Sequence, residues 1–334
     1  MEASRSSYWD NAKALLIFLV VLAHYYGTGM VYQGLSGGLW LIPTSIYTFI
    51  YLFHMPLFSF ISGYFSKHAE KGRKQAFSVL LLPYLLVNTV FVILDREQVN
   101  PLLAPYGPMW YPLALFFWRM VLPEIGRLKK SWLWGLGFAL VCLVLTPGKN
   151  YVAFQNAITF FPCFLLGYET TPQRIQQLRN LPKWACGLVL LAAMSCVMIL
   201  LGPLKQSFGD LCFFSRTYGA TLSSLKYLAF ELLRYTIALV MGICVLNLIP
   251  ERPSRLTSIG RNTLTVMLFH SVPHLRDLMD ALNPLPGNPL FCLLWWTALS
   301  MAATALLGSH RVARWWNRFL DLCRRAIPKK ATDV

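Results

Sequence analysis

Two ionisable residues inside an apolar stretch carry the first chemistry in this sequence. The run that opens Tyr8-Trp9-Asp10-Asn11-Ala12-Lys13 continues through apolar residues to Val20-Val21-Leu22-Ala23-His24. Eleven helical steps turn about 1100°, roughly 20° past three full turns, so Lys13 and His24 share one face about 16.5 Å apart along the axis. Asp10 stands one turn before Lys13 and can pair with it. Ionisable groups are costly inside a bilayer and mark functional positions there. A cation at the mouth can hold an anionic donor, such as the phosphates of a coenzyme. A deeper histidine can take a proton from an acceptor hydroxyl. The same spacing also accommodates a snorkelling lysine and a core histidine bonded to a neighbour.

Other polar residues interrupt apolar runs. Phe53-His54-Met55-Pro56-Leu57-Phe58 places a histidine beside a proline that should kink its helix, and the segment ends Ser62-Gly63-Tyr64. His54 can bind substrate there or cap a freed carbonyl. The stretch Lys67 to Lys74 reads as a basic loop, in which Lys71, Arg73 and Lys74 can grip phosphates or simply mark the cytoplasmic side. Trp110-Tyr111 fits an interfacial anchor or a substrate wall. Glu231 and Arg234, three residues apart, read as an internal ion pair. His270, His274 and Asp277 fall at i, i+4, i+7 of an expected helix, a stripe that suits a polar cavity better than a metal site. No phosphate-binding loop, dinucleotide fingerprint or nucleophile elbow is present.

These residues need a membrane scaffold. Of 334 residues, 56% are hydrophobic and 13% charged, against about 25% in a soluble domain. That excludes a disordered, collagen-like or disulfide-stapled chain and argues against an ordinary soluble globule. The pattern predicts an all-α polytopic transmembrane helix bundle of about ten spans. They cover residues 11–30, 41–65, 76–94, 109–123, 131–147, 152–168, 184–203, 224–249, 262–281 and 288–308. The ninth, with His270, His274, Arg276, Asp277 and Asp280, is the most polar. Basic residues gather in alternate loops: Arg5, Lys67–Lys74, Arg127–Lys130, Arg174–Lys183, Arg252–Arg261 and the tail from Arg311. Arg96, Lys149, Lys205, Arg216, Lys226 and Arg276 form the sparser set. This alternation predicts an even number of spans with both termini cytoplasmic. It also accounts for the net charge of +16 without nucleic acid. The eight cysteines, Cys212 among them, read as buried small hydrophobes. The first run lacks a cleavage site and is expected to stay as a span. Residues 8–310 form one integral domain, and 311–334 a basic cytoplasmic tail suited to an amphipathic helix.

Several segments, in order, resemble the acyltransferase-3 family of integral membrane acyltransferases, in its fucose 4-O-acetylase-like branch. They are Tyr8 to Lys13 with Val20 to His24, Phe53 to Phe58 with Ser62-Gly63-Tyr64, Met109-Trp110-Tyr111-Pro112-Leu113, Phe160 to Gly167, and Ile259-Gly260-Arg261-Asn262-Thr263-Leu264 followed by His270. The resemblance implies a ten-helix enzyme that moves an acyl group, usually acetyl from acetyl-CoA, to carbohydrate hydroxyls at or beyond a bacterial inner membrane. The family's basic-residue-X10-His motif falls on Lys13 and His24, and its basic cluster on Lys71 to Lys74. The arginine pair often found nearer Pro83-Tyr84 has no counterpart. Combined with the residues, this predicts His24 as general base with Lys13 and Asp10 beside the donor. Lys71, Arg73 and Lys74 bind acetyl-CoA, a co-substrate rather than a resident cofactor. His54, Ser62, Tyr64, Trp110, Tyr111 and His270 face the glycan acceptor. An acetyl-histidine intermediate is the covalent variant, and neither route needs a metal. A transporter or a structural subunit of a glycan-assembly complex are the rival readings.

Overall fold

The computed structural model describes residues 6–28, 38–95, 105–145, 154–201, 224–282 and 288–326. Arg5, Arg96, Lys149, Lys205, Cys212, Arg216, Lys329 and Lys330 lie outside the described residues, as do the ends of several expected spans. So do the side chains of Lys226, Arg276 and Asp280. Every described element is helical. Among the described residues, five helical stretches are long and apolar enough to cross a membrane: Gly38–Tyr64, Ala69–Leu94, Lys183–Leu200, Leu228–Leu248 and Pro289–Leu307. The chain folds as two compact units.

The first unit comprises residues 1–54, 176–212 and 240–316. Its centre is α1 (Ser7–Tyr26). Around it lie α2 (Leu41–Tyr51), α12 (Thr257–Arg261), α13 (Thr263–Phe269) and α15 (Pro289–Leu307). α1 is buried on nearly every side, from Tyr8 and Trp9 through Leu16 and Ile17 to Val21 and Tyr26. A helix enclosed all round must satisfy its polar side chains internally. Asn11 does so completely. Its amide nitrogen donates to the carbonyls of Pro250 at 2.8 Å and Arg252 at 3.0 Å, and its oxygen accepts from the Thr257 hydroxyl at 2.6 Å. Tyr8 donates to the Leu246 carbonyl at 2.9 Å. The start of α1 is thereby tied to residues 246–257.

The second unit comprises residues 55–175, 213–239 and 317–334. It contains α3 (His54–Tyr64, from Met55), α4 (Ala69–Ala76), α5 (Leu82–Leu94), α6 (Trp110–Ile125), α7 (Ser131–Leu145) and α8 (Phe154–Glu169). α8 packs on α6 and α7, and Trp118 donates to the Ala157 carbonyl at 2.8 Å. α3 and α8 meet backbone to backbone. A Cβ on Gly63 would collide with the Phe164 carbonyl, and one on Gly167 with the Phe60 carbonyl. Ser59 and Gly63, four apart, supply the small-residue face that such an approach needs. Glu231 and Arg234, on α11 (Ser224–Leu248), form the expected pair at 2.6 Å, both buried.

The remaining elements are α9 (Pro172–Arg179), α10 (Lys183–Leu201), α14 (Leu275–Leu282) and α16 (His310–Ala326). α16 exposes Trp315, Phe319 and Leu322 beside arginines.

Three local expectations change. The ninth segment is not one helix. α13 stops at Phe269, α14 starts at Leu275, and between them stands Pro273, with His274 at a φ of +55°. Proline cannot continue the helical ladder, so His270, His274 and Asp277 share no stripe. His274 instead bonds Asp277 at 3.3 Å on the surface. Second, residues 69–76 of the basic stretch are helical rather than a loop. They run through a π-turn at Phe77–Leu81 into α5. Third, the second segment breaks at Leu52-Phe53, ahead of Pro56, rather than kinking within a continuous helix.

The backbone contact yields a stability test. Gly63→Ala should cost about 1–3 kcal/mol through overpacking and lower the thermal midpoint of the detergent-solubilised protein. Gly137→Ala, where a Cβ meets open space, should leave that midpoint unchanged or raise it.

Candidate active site

At the start of α1 the site is built on a carboxylate. Asp10 is 1% exposed, and its Oδ1 lies 2.8 Å from Lys13 Nζ, the pairing that their spacing suggests. Its Oδ2 lies 3.4 Å from Nε of Arg261, whose side chain is half-exposed. Arg261 arrives because α12 presses on α1. Gly260 has no Cβ, and one placed there would strike the carbonyl of Asp10. One buried anion therefore orients two cations. Arg261 was legible only as a loop charge within a resembling motif, because nothing local links it to a residue 251 positions away.

His24, in the last turn of α1, is half-buried. His270 Nε2 lies 3.3 Å from His24 Nδ1, with ring centroids 4.9 Å apart. His270 itself is 1% exposed. Its Nδ1 is bonded to the carbonyls of Val266 at 2.9 Å and Met267 at 3.1 Å, in the last turn of α13. The Val266 carbonyl also accepts the His270 backbone N–H at 3.0 Å, so His270, the residue that closes α13, folds its ring back onto the last turn of its own helix. His54 behaves similarly. It is buried, its Nδ1 donates to the Ile50 carbonyl at 2.8 Å at the end of α2, and its ring meets the Tyr51 edge at 4.8 Å. The bonded carbonyl is Ile50, which also accepts Phe53 N–H at 3.3 Å, rather than Leu52, whose helical partner Pro56 removes.

In the second unit, Ser62 Oγ and Tyr111 Oη are 2.7 Å apart, and Tyr111 donates onward to the Phe58 carbonyl at 3.3 Å. Trp110 stacks on Phe160 at 5.2 Å. Lys67 donates to the carbonyls of Gly167, Tyr168 and Thr170, closing the C-terminal end of α8 where a cation is favoured. Its ammonium also lies 5.1 Å from the Tyr64 ring. Burial holds the Lys67 pKa below the ordinary lysine value, against the opposing pull of Glu169. Arg73 binds Glu124 at 2.6 Å and Glu70 at 2.9 Å, so its charge is matched by two carboxylates. Lys71 and Lys74 are exposed. Of the three cations expected to hold a coenzyme, the two lysines carry the accessible charge. Glu124, absent from the sequence reading, is the reason.

The acyltransferase domain of the acyltransferase-3 family matches residues 6–313, and the chain belongs to that family. The chain is also similar to nodulation protein NolL of Mesorhizobium japonicum, 28% identical over 189 residues, which is 49% of this chain and 48% of the relative. It thus spans about half the length of the curated relative it matches. No solved structure matches the chain.

The Asp10 cluster makes a quantitative expectation. Lys13→Met leaves a buried carboxylate facing a half-exposed arginine, and breaking a buried pair costs about 3–5 kcal/mol. The thermal midpoint should fall accordingly, and Asp10→Asn added to Lys13→Met should recover part of the loss. Equal midpoints for Lys13→Met and wild type would contradict the pairing.

Proposed function

We propose that this member of the acyltransferase-3 family is a membrane-embedded O-acyltransferase. It moves acetyl from acetyl-CoA to a hydroxyl of a cell-surface or exported carbohydrate, in a bacterial inner membrane. The fucose 4-O-acetylase-like relationship belongs to the same proposal. The observation that carries the reading is the make-up of α1, which lies inside the family match. One end holds an oriented cation and the other a half-buried histidine bonded through one nitrogen.

In this reading, Lys13 and Arg261 hold the coenzyme phosphates at the cytoplasmic side. Lys71 and Lys74 are a second candidate group, in the other unit. His24 takes the proton from the acceptor hydroxyl as its oxygen attacks the thioester carbonyl carbon. The tetrahedral oxyanion needs donors. Collapse breaks the carbon–sulfur bond, and the departing thiolate takes the proton back from the imidazolium. His54, Ser62, Tyr64, Trp110 and Tyr111 are assigned to the acceptor, whose hydroxyls and apolar ring faces suit hydroxyl and aromatic side chains.

Membranes containing wild type or His24→Ala at matched protein level, supplied with acetyl-labelled acetyl-CoA, test this directly. Label should enter the glycan fraction with wild type. It should fall by about 10²–10⁴-fold with His24→Ala, the usual contribution of a general base. Equal labelling would remove His24 from the mechanism. No labelling by either protein, across a range of acyl donors and glycan acceptors, would favour a transporter. Arg261→Gln should raise KM for acetyl-CoA several-fold and leave KM for acetyl-pantetheine, which lacks the phosphates, unchanged. The same change for both donors would remove Arg261 from phosphate binding.

A further inference from the structure

We propose that His270 is a positioning residue that fixes the tautomer and ring orientation of His24, leaving His24 Nε2 as the basic nitrogen. The inference rests on His24 acting as the base, and it reassigns His270 from acceptor binding to support of that base.

The argument is one of hydrogen-bond bookkeeping. A backbone carbonyl can only accept, so His270 Nδ1, bonded to the carbonyls of Val266 and Met267, carries a proton. In a neutral imidazole the other nitrogen is then an acceptor. That nitrogen, His270 Nε2, faces His24 Nδ1 at 3.3 Å. The contact is a hydrogen bond only if His24 Nδ1 holds the proton and donates it. His24 Nε2 is therefore left with its lone pair.

Burial separates the two roles. His270 is 1% exposed, whereas His24 is half-buried. The more accessible ring can meet a substrate, while the enclosed one is locked to the end of its own helix. The relay runs from the α13 carbonyls through His270 to His24, each member oriented by the next, as in other base–orienter arrangements. When His24 gains the hydroxyl proton on Nε2, its Nδ1–H bond to His270 strengthens, because a charged donor bonds more strongly than a neutral one. The pair thus stabilises the imidazolium form of the reacting ring without a carboxylate.

The test uses the full-length protein in lipid nanodiscs, selectively labelled with ¹⁵N-histidine. The chain has six histidines, and the His24 signals are identified by their loss in His24→Ala. Wild type should show His24 protonated at Nδ1 with a lone pair at Nε2. His270→Leu should abolish that preference and lower kcat about 10- to 100-fold, part of the ~10²–10⁴-fold available to a general base. KM for acetyl-CoA and for the acceptor should stay within about twofold, since no binding contact is removed. His270→Gln sets an amide oxygen near the position of Nε2 and should restore most of both the tautomer and the rate. If His270→Leu fails to fold, the wild-type tautomer and the Gln variant decide the question. A wild-type His24 protonated at Nε2 would overturn the proposal. So would a Gln variant that keeps the wild-type tautomer yet loses kcat, or a Leu variant with unchanged spectrum and rate. Full activity in His24→Ala would instead defeat the general-base reading, and the ¹⁵N spectrum would still report whether the two histidines are bonded as described.

Discussion

The first unit depends on a close approach between two backbones. Gly260 lies against the carbonyl of Asp10, where a side chain of any size would not fit. Thr257 and Asn11 share a hydrogen bond one turn away, and the Asn11 amide holds the carbonyls of Pro250 and Arg252. The candidate site residues of this unit lie mainly on the two segments joined here. α1 carries Asp10, Lys13 and His24, and residues 257–270 carry Arg261 and His270. α1 is one continuous helix and residues 257–269 are helical except at Asn262, so register set at the Asp10 end bears on the histidine end. A one-residue slip would rotate the partners about 100° apart on a helix.

Electrostatics shape the two ends differently. Asp10 is enclosed, and an isolated carboxylate there would be costly to desolvate. Two cations offset that cost, and the buried anion in turn fixes where they stand. Among the described residues, no carboxylate contacts the histidine end. It relies on bonds from each ring to a carbonyl four residues back, from His54 Nδ1 to Ile50 and from His270 Nδ1 to Val266, and each carbonyl also accepts a backbone N–H. Each histidine follows the end of a helix and folds back onto a carbonyl of its last turn. In the second unit the cations serve structure first. Lys67 closes the end of α8, and Arg73 joins α4 to α6 through Glu124.

Much of this was legible in the sequence wherever the signal is local. Helical periodicity put Lys13 and His24 on one face, and the i,i+3 spacings gave Asp10–Lys13 and Glu231–Arg234. The apolar runs placed helices close to where they occur, including the pieces on either side of the two breaks. The resemblance to a family rested on segments from both ends of the chain, and two of those segments, Tyr8–Lys13 and Ile259–Leu264, meet in the structure. Distance along the chain hid the rest. His24 and His270 are 246 residues apart, and no spacing rule joins them. Continuous hydropathy across 262–281 concealed the break that Pro273 imposes, which turned an expected histidine stripe into two unrelated positions. Charge alone made Arg73 look available, because Glu124 reaches it from another helix.

The most direct test of this account asks whether the contact at Gly260 governs the pair at His24. ¹⁵N–¹⁵N correlation between His24 Nδ1 and His270 Nε2 in histidine-labelled protein reads their hydrogen bond directly. The account predicts a cross-peak in wild type and its loss or marked weakening in Gly260→Ala, where a single Cβ forces the segments apart. Absence of the cross-peak in wild type, or an undiminished cross-peak in a folded Gly260→Ala protein, would contradict it.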